Sequence, residues 1–590
     1  MIGTKIITHY ALRITHCPSA YIYTKNERKG LAMKNSHKQG FLGGSLILIA
    51  SAAVSKVIGA IFRIPLANLL GGEGMGYFSA AYGIFMTVYA VSVTGLPIAA
   101  AKLTAERLAN SDKDGAANVR STALVLCALC GAVFTLLMLL LAYPFCAYLN
   151  KSPLSVTAVA AIAPSILFSC ITAVFRGCAE GQRNMYPTAV SQVIEAAVKL
   201  LSGLALCYAV LNAPHSFFVS AEALIKRVLP FEAIQSASAD DLVMPLAAAA
   251  AVLGVTVSSA AGLLYMMVRS VFRKEEKLRS APTLPTAHEL AMIMIPVALG
   301  SLITNLTSLI DLATIISCLK KAINANPQLF SAMLNGISPE AMPNFIFGCF
   351  SGLAVTVFNL IPSFTNMFGK GAVPFVAEGF AKKDKTLTEQ AVMRVFFTSG
   401  FIAVPAGLGI TALAPQILAL LFPSRRLEVL TAAPSLRLLG FGVIFLSISS
   451  VLFAVLQAAG KGDVPVKIMA VGVAVKLILN LVLIPVPEIN ASGAAVSTDI
   501  CYLLIMLLSV KAVSRLAEIP LGKFYSLLAK LAFCGVLCAS AAFLSQNFLR
   551  NLWDSPLTLF ISVPIGVIFY IISTHLTGIL SKTTLKMLIC

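Results

Sequence analysis

Long apolar runs alternate with short polar connections along the chain from residue 41 to residue 578. Runs of about 20 apolar residues match the length of a helix that crosses the ~30 Å hydrocarbon core of a membrane. The pattern therefore predicts an all-α, polytopic membrane protein with about fourteen transmembrane helices. The predicted spans lie near 41–70, 77–101, 122–149, 154–178, 187–213, 243–268, 290–317, 346–376, 391–422, 434–459, 464–486, 492–510, 524–546 and 556–578.

Composition and charge favour a position in the cell membrane. Of the 590 residues, 58% are hydrophobic and 12% are charged, whereas a soluble chain carries roughly 25% charged residues. The net charge of +19 comes mainly from Lys and Arg residues in alternate short loops. This distribution indicates cytoplasmic-loop bias and contact with anionic lipid, and no nucleic acid partner is expected.

The loop charges also predict the orientation. An even number of spans puts both termini on one side, and the more basic connections lie on that side, so we expect both termini in the cytoplasm. Residues 1–40 are polar and basic and contain no apolar run of the kind found in a signal peptide. We expect translation to start at Met33, with 1–32 as an extension without a structural role.

An internal repeat relates the two parts of the chain. The stretch 181–206 is similar to the stretch 460–483: each opens with a short polar loop and a proline, and Lys199 or Lys476 follows twelve or eleven residues after that proline. Spans two to five thus recur as spans eight to eleven. Since each unit has six spans, the sequence predicts two lobes related by an axis along the membrane normal.

The repeat also predicts the domain organisation. We expect two six-helix lobes, joined by a cytoplasmic linker and followed by two extra helices. The predicted units are a polar cytoplasmic segment (1–40), the N-terminal lobe (41–270), the linker (271–289), the C-terminal lobe (290–515) and the two extra helices with a cytoplasmic tail (516–590).

Two cations, Lys56 and Arg63, lie within the first apolar run. Seven residues make two helical turns, so both share one helix face with Gly59 between them. A cation at the centre of a bilayer costs about 2.5–3.5 kcal/mol. Arg63, ~10 Å from the outer end of its helix, could snorkel to the interface, but Lys56 is ~21 Å from that end. We expect both to line a polar cavity that binds an anionic head group.

Lys199 and Lys476 occupy equivalent positions of the repeat. Glu195 precedes Lys199 by one helical turn, so these two residues could form a neutral i,i+4 pair. Lys476 has only Asn480 one turn further on. We expect both lysines to contact the substrate or to brace the lobes, and Glu195 is a candidate for ion coupling.

Asp311, in the seventh span, is the clearest lone carboxylate in an apolar run. It is a candidate to bind a coupling ion, proton or sodium, or to pair with a first-span cation across the lobes; a wet position near the outer end is the alternative. Lys370, near the cytoplasmic end of the eighth span, either snorkels or lines the substrate entrance. Arg394, Arg437 and Lys530 are typical of interface anchors.

Two stretches carry a resemblance to a known family. The stretch GGEGMGYFSAAYGIFMTVYAVSVTGLPIAAAKLTAERLA (71–109) resembles the second-span signature of the stage V sporulation protein B family of polysaccharide-type transporters. The stretch KLILNLVLIPVPEINASGAAVSTDICY (476–502) is similar to a motif of the wider superfamily of multidrug, oligosaccharidyl-lipid and polysaccharide exporters. This resemblance implies two six-helix lobes that face each other across a central cavity.

The resemblance also implies a function. The lipid II flippases of the same superfamily add two further helices and move an undecaprenyl-pyrophosphate-linked sugar outward, with cavity arginines on the first, second and eighth spans. The corresponding cations here are Lys56, Arg63 and Lys370, and the second span contains no Arg. We therefore expect a monomeric transporter that flips a polyprenyl-pyrophosphate-linked saccharide, lipid II or a related precursor, by alternating access. The expected energy source is the membrane potential or a proton or sodium gradient.

Other functions have less support in the sequence. A cation-coupled multidrug or metabolite exporter of the same fold is the alternative, but it needs acidic cavity residues and the intramembrane excess here is basic. The glycines of 71–76 are expected to form a short external turn and no phosphate loop, since no GKS/T follows. His288 lacks the second histidine of a zinc motif, and we find no Ser/His/Asp set, so we expect neither an enzyme nor a metal or other cofactor.

Overall fold

The computed structural model describes residues 41–228, 235–272, 281–334, 336–553 and 555–580, and within these ranges it contains helices and turns but no strand. The predicted all-α class is confirmed. In lipid, a helix satisfies its own backbone hydrogen bonds, which is why apolar runs of this length become helices. The expected start at Met33 and the segment 1–40 lie outside the described residues.

The first helix is long and has one break. It runs over Phe41–Ser92, and Gly71, with φ of 62° in the left-handed region, divides it into α1 (41–70) and α2 (72–92), which continues as Gly95–Ala109. The other helices of the first half are α3 (Lys113–Pro144), α4 (Val156–Ile162 and Pro164–Gly181), α5 (Tyr186–Leu211) and α6 (Val243–Phe272).

The second half repeats this arrangement and adds two helices. Its helices are α7 (Leu284–Ala325), α8 (Met342–Gly348, Val355–Phe358 and Leu360–Lys382), α9 (Lys385–Leu421), α10 (Arg426–Ala458), α11 (Asp463–Leu483), α12 (Ala491–Ala517), α13 (Leu521–Leu552) and α14 (Leu559–Leu576). Short helices, His215–Val228 and Pro327–Met333, lie in the two longest connections.

The number of crossings agrees with the sequence prediction. Thirteen helical runs in the described part of the chain are long and apolar enough to span a membrane. The first, Ile47–Ala109, has 63 residues, which corresponds to ~95 Å of helix and is three times the thickness of the hydrocarbon core. Because Gly71 divides this run, it crosses twice, and fourteen crossings result.

The helix contacts follow the predicted repeat. In the first half α5 packs against α6 and α1, and in the second half α11 packs against α12 and α7. Helices α13 and α14 pack against each other, and α13 also packs along α9. The two halves meet where α1 and α2 contact α7 and α8. The exact domain boundaries stay a prediction.

The contact between the halves is tightest beside Gly71. The expected turn over 71–76 is wrong, because only Gly71 leaves the helical conformation and the next residues begin α2. Here α2 and α8 touch through glycines: a Cβ at Gly348 would lie 1.7 Å from the Gly72 carbonyl oxygen, and one at Gly76 would lie 2.4 Å from the Asn344 carbonyl oxygen. Such backbone contact requires residues without side chains.

Arg425 strengthens the same contact from the α9–α10 connection. Its guanidinium donates to the carbonyl oxygens of Asn68 and Leu69, at 2.8 to 3.0 Å, where the end of α1 leaves carbonyls without helical partners. The Asn68 amide in turn donates to the Leu421 carbonyl at 2.9 Å. The two halves are therefore joined at the end of the molecule where α1 meets α2.

Candidate functional site

Lys56 and Arg63 both reach from α1 to α8, and thus lie between the two halves. The Lys56 ammonium donates to the Ser363 carbonyl oxygen at 3.3 Å, and the Arg63 guanidinium donates to the Thr356 hydroxyl at 3.3 Å. Helix α8 is irregular just before this point, with a π-helical segment at Cys349–Ala354, a feature that is frequent at functional sites.

The helix face that carries these two cations borders open space. A Cβ added at Gly59 would meet no other atom within 4 Å, and the Lys56 side chain is exposed although it lies beside α8. Closer to Gly71 the space ends, since Phe62, Leu66 and Leu70 are fully buried. This side of α1 is therefore open around Lys56 and Gly59 and is closed by packing from Phe62 onward.

Lys199 joins the same region from α5. Its ammonium lies 4.9 Å from the centre of the Tyr82 ring and 5.2 Å from that of Phe62. The Arg63 guanidinium lies 5.5 Å from the Tyr82 ring centre, so one aromatic ring of α2 contacts two cations. We call Lys56, Arg63, Lys199 and Tyr82 the basic cluster. Cation–π contacts of this kind contribute about 0.5–2 kcal/mol each.

The possible Glu195–Lys199 pair does not form. The Glu195 carboxylate pairs instead with Arg176 of α4, at 2.8 Å. It is held there by close packing on α6, since a Cβ at Gly262 would lie 2.2 Å from its Oε1 atom. Among the described residues neither Lys199 nor Arg63 has a carboxylate within ion-pair distance, so no ion pair neutralises these two cations.

Lys476, the repeat equivalent of Lys199, has a very different environment. Its ammonium lies 2.6 Å from the Asp311 carboxylate, and its side chain is only 3% exposed. The Asn480 amide donates to the other oxygen of Asp311 at 3.1 Å and to the Thr314 hydroxyl at 2.9 Å, and Ser497 donates to the Asn480 carbonyl. Asp311 thus pairs within its own half rather than with a cation of α1.

Sequence reasoning missed three polar residues near these clusters. Asp499 of α12 is close enough to Lys476 to interact with its charge, and its Oδ1 atom is buried without a hydrogen-bond partner. Arg176 and Tyr82 were missed as well. Asp499 and Arg176 are each a charge within an apolar run, so the rule that selected Lys56 would also have selected them. Tyr82 carries no such signal.

Lys370 falls within the last part of α8, Leu360–Lys382, but its side chain lies outside the described residues. The structure thus brings Arg63 and Lys199 together on the Tyr82 ring, and Lys56 lies two helical turns from Arg63 on α1, where it contacts α8. It holds Lys476 and Asp311 at a second place inside the second half, and Glu195 at a third, against Arg176.

Two family models match parts of the chain. The model described as "Polysaccharide biosynthesis protein" matches residues 41–228, and the model described as "MatE" matches residues 351–482. The two matches fall in the two halves of the fold. Residues of the basic cluster all lie in the first of them, and the Asp311 partners Lys476 and Asn480 lie in the second.

The chain is also similar to individual proteins along most of its length. It is 26% identical to "Stage V sporulation protein B" of Bacillus subtilis over 85% of this chain and 89% of that protein. It is 24% identical to "Lipid II flippase MurJ" of Bacillus subtilis over 83% of this chain and 84% of that one. These relatives confirm the resemblance that the sequence indicated.

A solved structure supports the fold. The structure described as "Lipid II flippase MurJ, inward closed conformation" superimposes with a TM-score of 0.63 and 13% sequence identity, covering 90% of this chain and 98% of that chain. The predicted arrangement of about fourteen helices in two lobes with two additional helices is thereby confirmed.

Proposed function

We propose that this chain, a membrane transporter with the fold of the multidrug, oligosaccharidyl-lipid and polysaccharide exporter superfamily, flips a polyprenyl-pyrophosphate-linked saccharide from the inner to the outer leaflet. The proposed cargo is lipid II or a related precursor of the cell envelope. The observation that carries the proposal is the basic cluster: Arg63 and Lys199 contact one ring between the halves, and no described carboxylate neutralises them.

The cluster offers chemistry that suits a pyrophosphate. A guanidinium such as that of Arg63 binds two phosphate oxygens through parallel N–H donors, whereas the ammonium groups of Lys56 and Lys199 act as point charges. Arg63 donates to the neutral hydroxyl oxygen of Thr356, and Lys56 donates to the neutral carbonyl oxygen of Ser363. A charged phosphate oxygen would bind more strongly than either, so substrate can replace them. Lys370 remains our candidate for the entrance.

The tight contact between α2 and α8 supports alternating access. In the orientation that the loop charges predict, with both termini in the cytoplasm, the end at Gly71 is the outer side, and the contact between α2 and α8 closes that side. Separation of Gly348 from Gly72 and release of Arg425 from the end of α1 would open the outer side. We propose that rocking of the two halves about this contact exposes the bound head group outward.

The energy source is proposed to be the membrane potential. Moving one charge across 100 mV is worth about 2.3 kcal/mol, which is enough to bias the rocking of the halves. Asp311 and Glu195 stay candidates for coupling to a proton or sodium ion. Each of them already holds a cationic side chain, Lys476 or Arg176, and a coupling ion would have to compete with it.

A cation-coupled exporter of the same fold is the second candidate, and the match of residues 351–482 to the "MatE" model favours it. Asp499, with a buried carboxylate oxygen that lacks a hydrogen-bond partner, is the residue on which an organic cation could bind. The basic cluster argues against this reading, because it would repel such a substrate. Purified protein should therefore prefer anionic polyprenyl lipids to hydrophobic cations.

The proposal is tested by translocation in a strain depleted of its own lipid II flippase. Arg63→Ala and Lys199→Met should each abolish translocation while membrane abundance stays normal. Lys102→Ala is the matched control, since Lys102 is an exposed lysine of α2 that pairs with Glu106 at 3.8 Å, and it should translocate normally. Normal translocation by both Arg63→Ala and Lys199→Met would overturn the proposal.

A further inference from the structure

A second basic site lies far along the chain from the basic cluster, in a pocket between α9 and α13. The pocket has a volume of about 770 Å³ and is lined by the beginning of both helices and by Gly578 and Ile579, which follow α14. We call it the α9–α13 pocket. Neither α13 nor α14 packs extensively against α1 or α2, so this pocket is distinct from the region between the halves.

Two cations reach the pocket at matching positions on neighbouring helices. Arg394 is nine residues from the start of α9, and Lys530 is nine residues from the start of α13. With a rise of 1.5 Å per residue, each lies ~13 Å from the beginning of its helix. Sequence reasoning expected two separate interface anchors, but the fold places both on one pocket.

Their depth corresponds to the edge of the hydrocarbon core. Helix α9 has 37 residues and is ~55 Å long, whereas the core is ~30 Å thick. If the helix is centred, the core begins ~12 Å from its end. The same calculation for α13, which has 32 residues, gives ~9 Å. Arg394 and Lys530 are therefore expected within ~4 Å of the level where the phosphate and glycerol groups of lipids meet the acyl chains.

The pocket carries net positive charge. Its third cation, Lys523, pairs with the carboxylate of Glu389, the one acidic residue among the described residues that line the pocket. Within the described ranges, Arg394 and Lys530 form no ion pair, so a charge of +2 is left. This charge would be unfavourable in lipid without an anion beside it.

The remaining walls are amphipathic. Met393, Phe397 and Leu527 provide apolar surface, and Thr398 and Ser526 provide hydroxyl groups close to the two cations. A ligand that satisfies all of these must join a phosphate to hydrocarbon chains. Basic pockets between transmembrane helices on the cytoplasmic side bind head groups of this kind.

We propose that the α9–α13 pocket binds the phosphate of an anionic glycerophospholipid of the inner leaflet between Arg394 and Lys530. Its acyl chains lie against Phe397 and Leu527, and the bound lipid holds α13 against α9. This proposal is independent of the cargo, because the pocket shares no residue with the basic cluster.

Native mass spectrometry measures which lipids the purified protein retains, and the test compares the wild type with the double variant Arg394→Gln/Lys530→Gln. Wild type should retain phosphatidylglycerol or cardiolipin in preference to phosphatidylcholine. In the double variant the ratio of retained anionic lipid to retained phosphatidylcholine should be lower by about tenfold or more. The matched control is Lys382→Gln/Lys467→Gln, which removes two exposed cations of α8 and α11 and should behave as wild type.

Three results would overturn the proposal. One is equal retention of phosphatidylglycerol and phosphatidylcholine by wild type, and another is equal retention of anionic lipid by the double variant and the control pair. The third is displacement of the lipid by inorganic phosphate, which indicates an ion site, or by undecaprenyl phosphate, which indicates a site for cargo. A double variant that elutes as a monodisperse protein and still translocates shows that any loss of lipid is not misfolding.

Discussion

Asp311→Asn is expected to destabilise the protein far more than the removal of an exposed carboxylate in the same half of the fold. The substitution keeps the shape of the side chain and removes its charge. Lys476 is then left as a cation with 3% of its side chain exposed and without the carboxylate that lies 2.6 Å away in the native protein. Breaking a buried ion pair in this way costs about 3–5 kcal/mol.

Helix α11 offers a matched control. Asp463, at its first turn, pairs with Lys467 at 2.8 Å, and these side chains are 59% and 76% exposed. Exposed i,i+4 pairs contribute little to stability, because water and salt screen both charges. Asp463→Asn should therefore have a much smaller effect than Asp311→Asn, although the two ion pairs have similar lengths.

The assay is thermal denaturation of the purified protein in nanodiscs, monitored as the fraction that remains monodisperse. Asp311→Asn should lower the apparent midpoint by several degrees, and Asp463→Asn should leave it within about one degree of wild type. The double variant Asp311→Asn/Lys476→Met should regain part of the loss, because the Lys476 ammonium is no longer buried without its carboxylate. The recovery is incomplete because Asp499 loses the neighbouring cation. The reasoning is refuted if the two single variants have equal midpoints or if the double variant is no more stable than Asp311→Asn.

The double variant also tests the coupling prediction. If it folds stably and still translocates, Asp311 and Lys476 act as a structural brace of the second half. If it folds stably but no longer translocates, the pair takes part in energy coupling. The two roles are thereby separated from simple loss of stability.

Three further predictions concern the contact between the halves and the basic cluster. Gly348→Val should prevent closure of α2 on α8, because its Cβ would lie 1.7 Å from the Gly72 carbonyl oxygen. Labelling of a cysteine introduced on the Gly71 side of the contact should therefore increase. Gly409→Val is the control and should leave the labelling unchanged, because a Cβ at Gly409 meets no atom within 4 Å. Arg425→Ala should raise the same accessibility, since hydrogen bonds from charged groups contribute about 1.5–3 kcal/mol; unchanged labelling would contradict this role. Tyr82→Leu should reduce translocation while Tyr82→Phe keeps it, because the ring makes the contacts with the cations; equal activity of the two variants would exclude that explanation.

The helices could be predicted because each is an apolar run of membrane-spanning length, and the repeat could be predicted because Lys199 and Lys476 keep their spacing from a proline. The tight contact at 71–76 could not. A cluster of glycines is typical of a turn, and only the approach of α8 shows that Gly72 and Gly76 are needed for helix packing. That approach depends on residues more than 250 positions away in the chain.

For a similar reason, the sequence identifies individual candidate residues of the site but not the contacts that they make. Charges in apolar runs identify candidate residues, but their partners depend on tertiary packing. Glu195 is one turn from Lys199, yet it pairs with Arg176 because α4 and α6 enclose it. Lys476 was expected to have only Asn480 near it, and Asp311 reaches it from another helix. The two equivalent lysines therefore differ in a way that the repeat alone does not show.

The central claim is that the basic cluster binds the pyrophosphate of the cargo, and a binding measurement tests it most directly. Purified wild-type protein should bind a polyprenyl-pyrophosphate-linked saccharide more tightly than the matching polyprenyl alcohol, and Arg63→Ala/Lys199→Met should remove most of this difference while Lys102→Ala retains it. If the double variant discriminates between pyrophosphate and alcohol as well as wild type does, the head group binds elsewhere and the account is contradicted.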